Sequence, residues 1–89
     1  VKRNNSVFTY DIVGPICESG DWLARQRKLS IEAGDYLAVM SAGAYGMAMS
    51  SNYNTRGRAA EVLVDNGQAH LIRKREHPED LYALETVVP

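Results

Sequence analysis

Two stretches of the chain hold residue types that do chemistry at spacings an ordinary scaffold has little use for. The first runs Gly14-Pro15-Ile16-Cys17-Glu18-Ser19-Gly20-Asp21. A cysteine stands beside one acid and close to a second, in a segment rich in turn residues. A thiol so placed can give or take a proton, and the Glu18 carboxylate can bind an ammonium group. The competing reading makes Cys17 a small buried apolar residue, the commonest fate of a lone cysteine. The second stretch is Ser41-Ala42-Gly43-Ala44-Tyr45-Gly46. Its small residues let backbone come close to a ligand or another chain. The Tyr45 hydroxyl can donate a hydrogen bond to a phosphate or a ring, or Tyr45 can simply cap the core. Ser50-Ser51-Asn52-Tyr53-Asn54 follows, mixing polar and aromatic groups as a surface turn also would. Arg56 and Arg58 are candidate anion ligands, although surface arginines are common. His70, His77 and Cys17 lack the close spacing of a zinc site, so no metal is expected. No phosphate-binding loop, dinucleotide fingerprint or HExxH helix occurs.

The elements that must position these residues read as mostly β. Ser6–Val13 is rich in β-branched and aromatic residues and is ended by Gly14-Pro15, so it predicts a strand. Cys17–Asp21 predicts a loop. Trp22–Leu29 is compatible with a short helix or an extended segment. Ala33-Gly34-Asp35 predicts a turn. The apolar run Tyr36–Met40 fits a strand buried on both faces. Ser41–Met49 predicts a loop entering a short helix. From Ala60 to Arg75 the pattern is a hairpin with Val62, Val64, Ala69 and Leu71 on one face, and its turn centres on Asn66-Gly67. Asn-Gly suits the two left-handed positions of a type I′ turn. In that register His70 lies opposite Leu63, as a sheet-face residue. His77-Pro78-Glu79-Asp80 predicts the start of a short helix. The expected architecture is one small domain over 1–89, a barrel-like or sandwich arrangement of four or five strands with one or two short helices.

Composition narrows the function classes. The 89 residues suit one small domain with limited independent stability. Ten basic and 11 acidic residues give a formal net charge of -1, which offers no electrostatic case for nucleic acid or an anionic membrane. The basic run Arg73-Lys74-Arg75 reads as a solvated strand end. A single cysteine excludes an internal disulfide and points to a reducing, cytoplasmic setting. No window approaches the ~20 apolar residues of a membrane helix. The N-terminal residues lead into a strand-like segment and not a signal-peptide core. The absence of an initiator Met fits a chain that begins partway through a longer protein.

The blocks GPICESGDWLARQRKL and GDYLAVMSAGAYGMAMSSNYNTRGRAAEVLVD, taken together, resemble the C-terminal region of bacterial diaminopimelate decarboxylases. The resemblance runs from Tyr10 to about Arg75, and it is the joint occurrence of the two blocks that is specific. It implies a fold-type III pyridoxal-phosphate enzyme with an N-terminal β/α barrel and a C-terminal β-domain of the alanine-racemase and ornithine-decarboxylase type. It implies a head-to-tail homodimer with active sites at the dimer interface, and removal of CO2 from meso-diaminopimelate to give L-lysine, the last step of lysine biosynthesis. By the same resemblance, Cys17 is the catalytic thiol near the cofactor face. Glu18 binds the distal amino group of the substrate, and Ser19 and Asp21 hold their loop in place. Tyr45 contacts the cofactor phosphate or the substrate, and Tyr53 and Asn54 support the site near the dimer interface.

What the resemblance requires is not all present. The only lysines are Lys2, Lys28 and Lys74, none of them in the barrel motif that carries the Schiff base. The barrel's phosphate-binding glycine loop is missing as well. The isolated chain is therefore expected to be inactive and to expose an apolar face where the barrel would dock. Three other readings remain open at this level. One is an ornithine-, arginine- or carboxynorspermidine-type decarboxylase domain, against which the Cys17-Glu18 pair argues. Another is a stand-alone β module that binds a partner protein. The third is a cysteine-nucleophile enzyme built on Cys17 with His70 or His77.

Overall fold

The computed structural model describes residues 6–89, which divide into two compact units, one ending at Met40 and the other Ser41–Pro89. The first unit is an antiparallel pair, β1 (Phe8–Val13) and β2 (Trp22–Leu29). Trp22–Leu29, which the sequence left between helix and extended, is thus a strand. Its Leu, Ala, Arg, Gln and Lys are good helix formers, but intrinsic preference is a weak determinant and pairing with β1 overrides it. Phe8 faces Leu29 and Tyr10 faces Arg27, but Ile12 faces Ala24, so β2 accommodates an extra residue between the pairs. Gln26 takes that strain with φ 52°, and its N–H donates to the Asp11 carboxylate at 2.9 Å. On β1 the Phe8 and Tyr10 rings meet edge to face, their centroids 6.5 Å apart. On β2 the Arg25 guanidinium lies 4.2 Å from the centre of the Trp22 ring, a cation–π contact.

After β2 the predicted turn forms, with the Asp35 N–H donating to the Glu32 carbonyl at 3.1 Å and Gly34 at φ 94°. The run Tyr36–Met40 corrects the sequence reading. It joins neither sheet, and Tyr36 and Met40 are 101 % and 81 % exposed. An apolar run signals burial, but a strand also needs a neighbouring ladder, and no described strand supplies one.

The second unit begins with α1 (Gly43–Met49), whose C-terminal residue is followed by the capping Ser50. A 3-10 turn covers Tyr53–Thr55. The hairpin β3 (Glu61–Asp65) and β4 (Gln68–Arg73) follows, then α2 (Pro78–Leu81). The hairpin register is the expected one: Val62 faces Leu71, Leu63 faces His70, and Val64 faces Ala69. Asn66 and Gly67 carry φ values of 49° and 72°, the paired left-handed positions of a type I′ turn. Arg73 donates across the hairpin to Glu61. At α2 the His77 N–H donates to the Asp80 carboxylate at 2.8 Å, closing the first turn behind Pro78.

The elements therefore confirm a mostly β chain with two short helices. The strands form two separate two-stranded sheets. Among the described residues no side chain is buried, and Val62, Val64 and Leu71, which share one hairpin face, are all more than half exposed. A two-stranded hairpin is marginal by itself in water and needs further strands or a helix over its apolar face.

Candidate functional site

The first candidate segment is the connection between β1 and β2, and its own residues build it. The Gly14 N–H donates to the Asp21 carbonyl at 3.0 Å, and the Asp21 N–H to the Glu18 carbonyl at 3.0 Å. The Trp22 N–H then donates to the Gly20 carbonyl at 2.8 Å. The Asp21 carboxylate reaches back across the loop to accept from the Ile16 N–H at 2.9 Å. This bond staples the two sides of the segment that carries Cys17 and Glu18. Cys17 is exposed and not the buried apolar residue of the alternative reading.

Glu18 is exposed at the tip. One of its carboxylate oxygens accepts from the Gly20 N–H at 2.6 Å, and the other takes a long 3.5 Å bond from the Ser19 hydroxyl. An ionised carboxylate has about four acceptor positions, so both oxygens keep capacity for an ammonium donor. The backbone bond fixes the side chain's direction while the charge stays available.

The second candidate segment lies in the other unit. Tyr45 is on α1 and 75 % exposed, so it does not cap a core within the chain. At Gly43 and Gly46, which flank it, an added Cβ would meet no described atom within 4 Å. The chain's own packing does not explain these two glycines.

Tyr53 and Asn54 lie on the 3-10 turn and are exposed. Asn54 and Thr55 both have positive φ, 61° and 59°. The left-handed region is tolerable for Asn but costly for β-branched Thr. What holds this turn is a group of residues that sequence reasoning did not assign. Arg58 Nε donates to Ser50 Oγ at 3.0 Å, one terminal nitrogen donates to Asn52 Oδ1 at 2.9 Å, and the other to the Ser50 carbonyl at 3.2 Å. The Arg58 N–H donates to Glu76 Oε1 at 2.7 Å, and the Asn52 amide donates to the same oxygen at 2.8 Å and to the Arg56 carbonyl at 3.0 Å. The Glu76 N–H returns a bond to the Arg58 carbonyl at 3.1 Å. Arg58 is therefore not an anion ligand as the sequence allowed: its guanidinium is spent on the protein. The Arg58 backbone N–H and the Asn52 amide hold the Glu76 carboxyl below its ordinary value, ahead of the charge of Arg58, whose nearest contact is 3.6 Å. The sequence signals were slight: Glu76 closing a basic run, and a glycine just before Arg58.

Among the described residues no group of three or more His, Cys, Asp and Glu side chains could hold a metal ion. Nor is any described helix long and apolar enough to cross a membrane. His77 caps α2 and His70 lies on β4, both in the second unit, whereas Cys17 is in the first.

Comparison with known proteins gives these segments a context. Residues 1–43 match the family model described as the pyridoxal-dependent decarboxylase C-terminal sheet domain. Diaminopimelate decarboxylase of Pseudomonas aeruginosa is 65% identical over 87 residues, which is 98% of this chain and 21% of that protein. The enzyme of that name from Haemophilus influenzae is 61% identical over 79 residues, 89% of this chain and 19% of that protein. Among solved structures, the diaminopimelate decarboxylase from M. jannaschi superposes with a TM-score of 0.87 at 44% identity, covering 99% of this chain and 20% of that one. The Helicobacter pylori enzyme complexed with L-lysine gives 0.80 at 41% identity, covering 89% of this chain and 20% of that one. The chain thus spans about a fifth of the length of the curated relatives it matches.

Proposed function

Because the chain belongs to the pyridoxal-dependent decarboxylases, as a portion of their C-terminal sheet domain, we propose that it is part of a diaminopimelate decarboxylase. In that reading the whole protein removes CO2 from meso-diaminopimelate and yields L-lysine. The observation that carries it is the 65% identity to an enzyme of that name across 98% of this chain. A barrel domain outside these residues supplies the Schiff-base lysine. The two hairpins take their places in a small β-barrel or sandwich whose further strands cover the apolar faces left open here. The complete enzyme is a homodimer, with each site built from both subunits. A single exposed thiol and a biosynthetic task suit the reducing cytoplasm.

The residues on this chain fit the tasks left to it. Pyridoxal phosphate, when bound, withdraws electrons from the substrate's α-carbon. Glu18, aimed by the Gly20 N–H, holds the distal ammonium of the substrate and so fixes which end reacts. Cys17, presented on the turn stapled by Asp21, handles the proton at the α-carbon. Ser19 steadies the Glu18 carboxylate. Tyr45 donates its hydroxyl to the cofactor phosphate or to substrate, and the space at Gly43 and Gly46 admits that group. Tyr53 and Asn54 support the site from the subunit interface.

The test uses the full-length protein with pyridoxal phosphate. Product release is compared for meso-diaminopimelate, ornithine, arginine and carboxynorspermidine, with Glu18→Ala alongside. The proposal expects selective turnover of meso-diaminopimelate, largely lost in Glu18→Ala. Preference for another of these amino acids would overturn the substrate assignment and the role of Glu18.

A further inference from the structure

We infer that Arg58 and Glu76 are positioning residues, which with Ser50 and Asn52 lock the 50–58 segment in the shape that presents Tyr53, Asn54 and the α1 tyrosine. The importance of these three as ligand or interface contacts rests on the function proposed above; the lock itself rests on geometry alone.

The pattern of exposure separates two kinds of residue along one short stretch. Ser50, Asn52, Arg58 and Glu76 are half-buried, while Ser51, Tyr53, Asn54, Thr55, Arg56 and Gly57 between them are exposed. The half-buried set binds itself and the exposed set is held out. Arg58 connects three places at once. Through Ser50 it reaches the last turn of α1, because the Ser50 hydroxyl it binds donates onward to the Met47 carbonyl at 2.6 Å. Through Asn52 it grips the start of the 3-10 turn. Through its own backbone it is tied to Glu76, which lies just beyond β4.

Apolar packing does not do this work, since no described residue of the unit is buried. Two of the bonds that fix the segment are long-range, joining residues 18 and 24 apart in sequence. They also hold Asn54 and Thr55 in the left-handed region, a conformation that persists only where surroundings over-determine it. Lysine cannot replace Arg58 here, because three directed bonds leave different nitrogens around the edge of one planar group. Gly57 belongs to the same device: a Cβ there would land on the Glu76 backbone carbonyl, 2.9 Å from its carbon.

The test uses the full-length enzyme holding pyridoxal phosphate, and compares Arg58→Lys, Glu76→Ala and Glu76→Gln with wild type. The first readout is hydrogen–deuterium exchange over residues 50–58, with the β1–β2 pair as an internal control. The second is the separation of KM from kcat on the enzyme's preferred amino acid. Arg58→Lys and Glu76→Ala should each raise exchange in 50–58 and leave the control unchanged. Each should raise KM about tenfold with kcat within about twofold, the signature of lost ground-state positioning. Glu76→Gln keeps a carbonyl acceptor and should fall between wild type and Glu76→Ala, which keeps the test alive if the alanine variant fails to fold. A faster exchange with unchanged KM would reduce the group to a structural brace and overturn the inference. Unchanged exchange would overturn the lock itself. An enzyme that ignores meso-diaminopimelate would defeat the proposed function and leave the exchange comparison standing.

Discussion

The Gly14–Asp21 turn and the Ser50–Arg58 segment both carry exposed polar residues, but only the second depends on a remote anchor. The first is closed by its own residues. The Asp21 staple to Ile16 spans five positions and the Glu18 bond to Gly20 spans two. The second is closed partly by Arg58 on Ser50 and Asn52 within it and also from a distance, by Glu76, 18 positions beyond Arg58 and 24 beyond Asn52. A locally closed turn keeps its shape wherever its flanking strands go. A remotely closed one depends on the hairpin between its two anchors. The residues proposed for proton transfer and charge recognition thus sit on the autonomous turn, and Tyr53 and Asn54, proposed as supports, sit on the dependent one.

The sharpest way to break this contrast is Gly57→Ala. The added methyl cannot share space with the Glu76 backbone, and relief by backbone shift costs about 1–3 kcal/mol. Thermal unfolding of the full-length protein should show a lowered midpoint, and exchange should rise over 50–58 but not over 14–22. Asp21→Ala is the converse. It leaves the Ile16 N–H without its carboxylate, a loss of about 1 kcal/mol for a partly exposed bond, and exchange should rise over 14–22 while 50–58 stays as it was. If either substitution loosened both segments equally, the distinction between local and remote closure would fail.

Gly67→Ala probes the hairpin that joins the remote anchors. With Gly67 at φ 72°, alanine is strained by about 1 kcal/mol. Exchange at β3 and β4 should rise first, with a smaller rise in 50–58 and none in 14–22. The smallest effect concerns protons. Glu76 is held below its ordinary value of 4.5 by the Arg58 N–H and the Asn52 amide. The charged form is therefore favoured in the folded state, and its contribution is complete above the unfolded value and lost as pH falls through the lowered one. A carboxyl titration followed by NMR should place Glu76 below an unperturbed glutamate, and Asn52→Ala should move it back toward the unperturbed value.

The same contrast explains what the sequence disclosed. The β3–β4 hairpin was legible because Asn66-Gly67 dictates a turn within its own two residues, and the register of Leu63 opposite His70 follows from it. The α1 helix and the 33–35 turn were legible on similar local grounds. Trp22–Leu29 stayed ambiguous because its residues favour helix mildly while its partner strand decides the matter. Tyr36–Met40 was misread because hydrophobicity reports a need for cover and not the presence of a ladder. Cys17, Glu18 and Asp21 stood out by type and spacing, and Tyr45 by its glycines. Arg58 stood out only as a candidate anion ligand and Glu76 not at all, since a bond across 18 residues leaves no periodic mark in a single sequence.

In the proposed function the Glu18 carboxylate recognises the distal ammonium of the substrate. The measurement that tests it most directly is kcat/KM of the full-length enzyme on meso-diaminopimelate and on 2-aminopimelate, which lacks that ammonium, for wild type and Glu18→Gln. The account predicts that wild type prefers diaminopimelate by ~10–100-fold, the worth of a charge-assisted bond of about 1.5–3 kcal/mol, and that Glu18→Gln erases most of this preference. An equal fall on both substrates, with the preference intact, would contradict it.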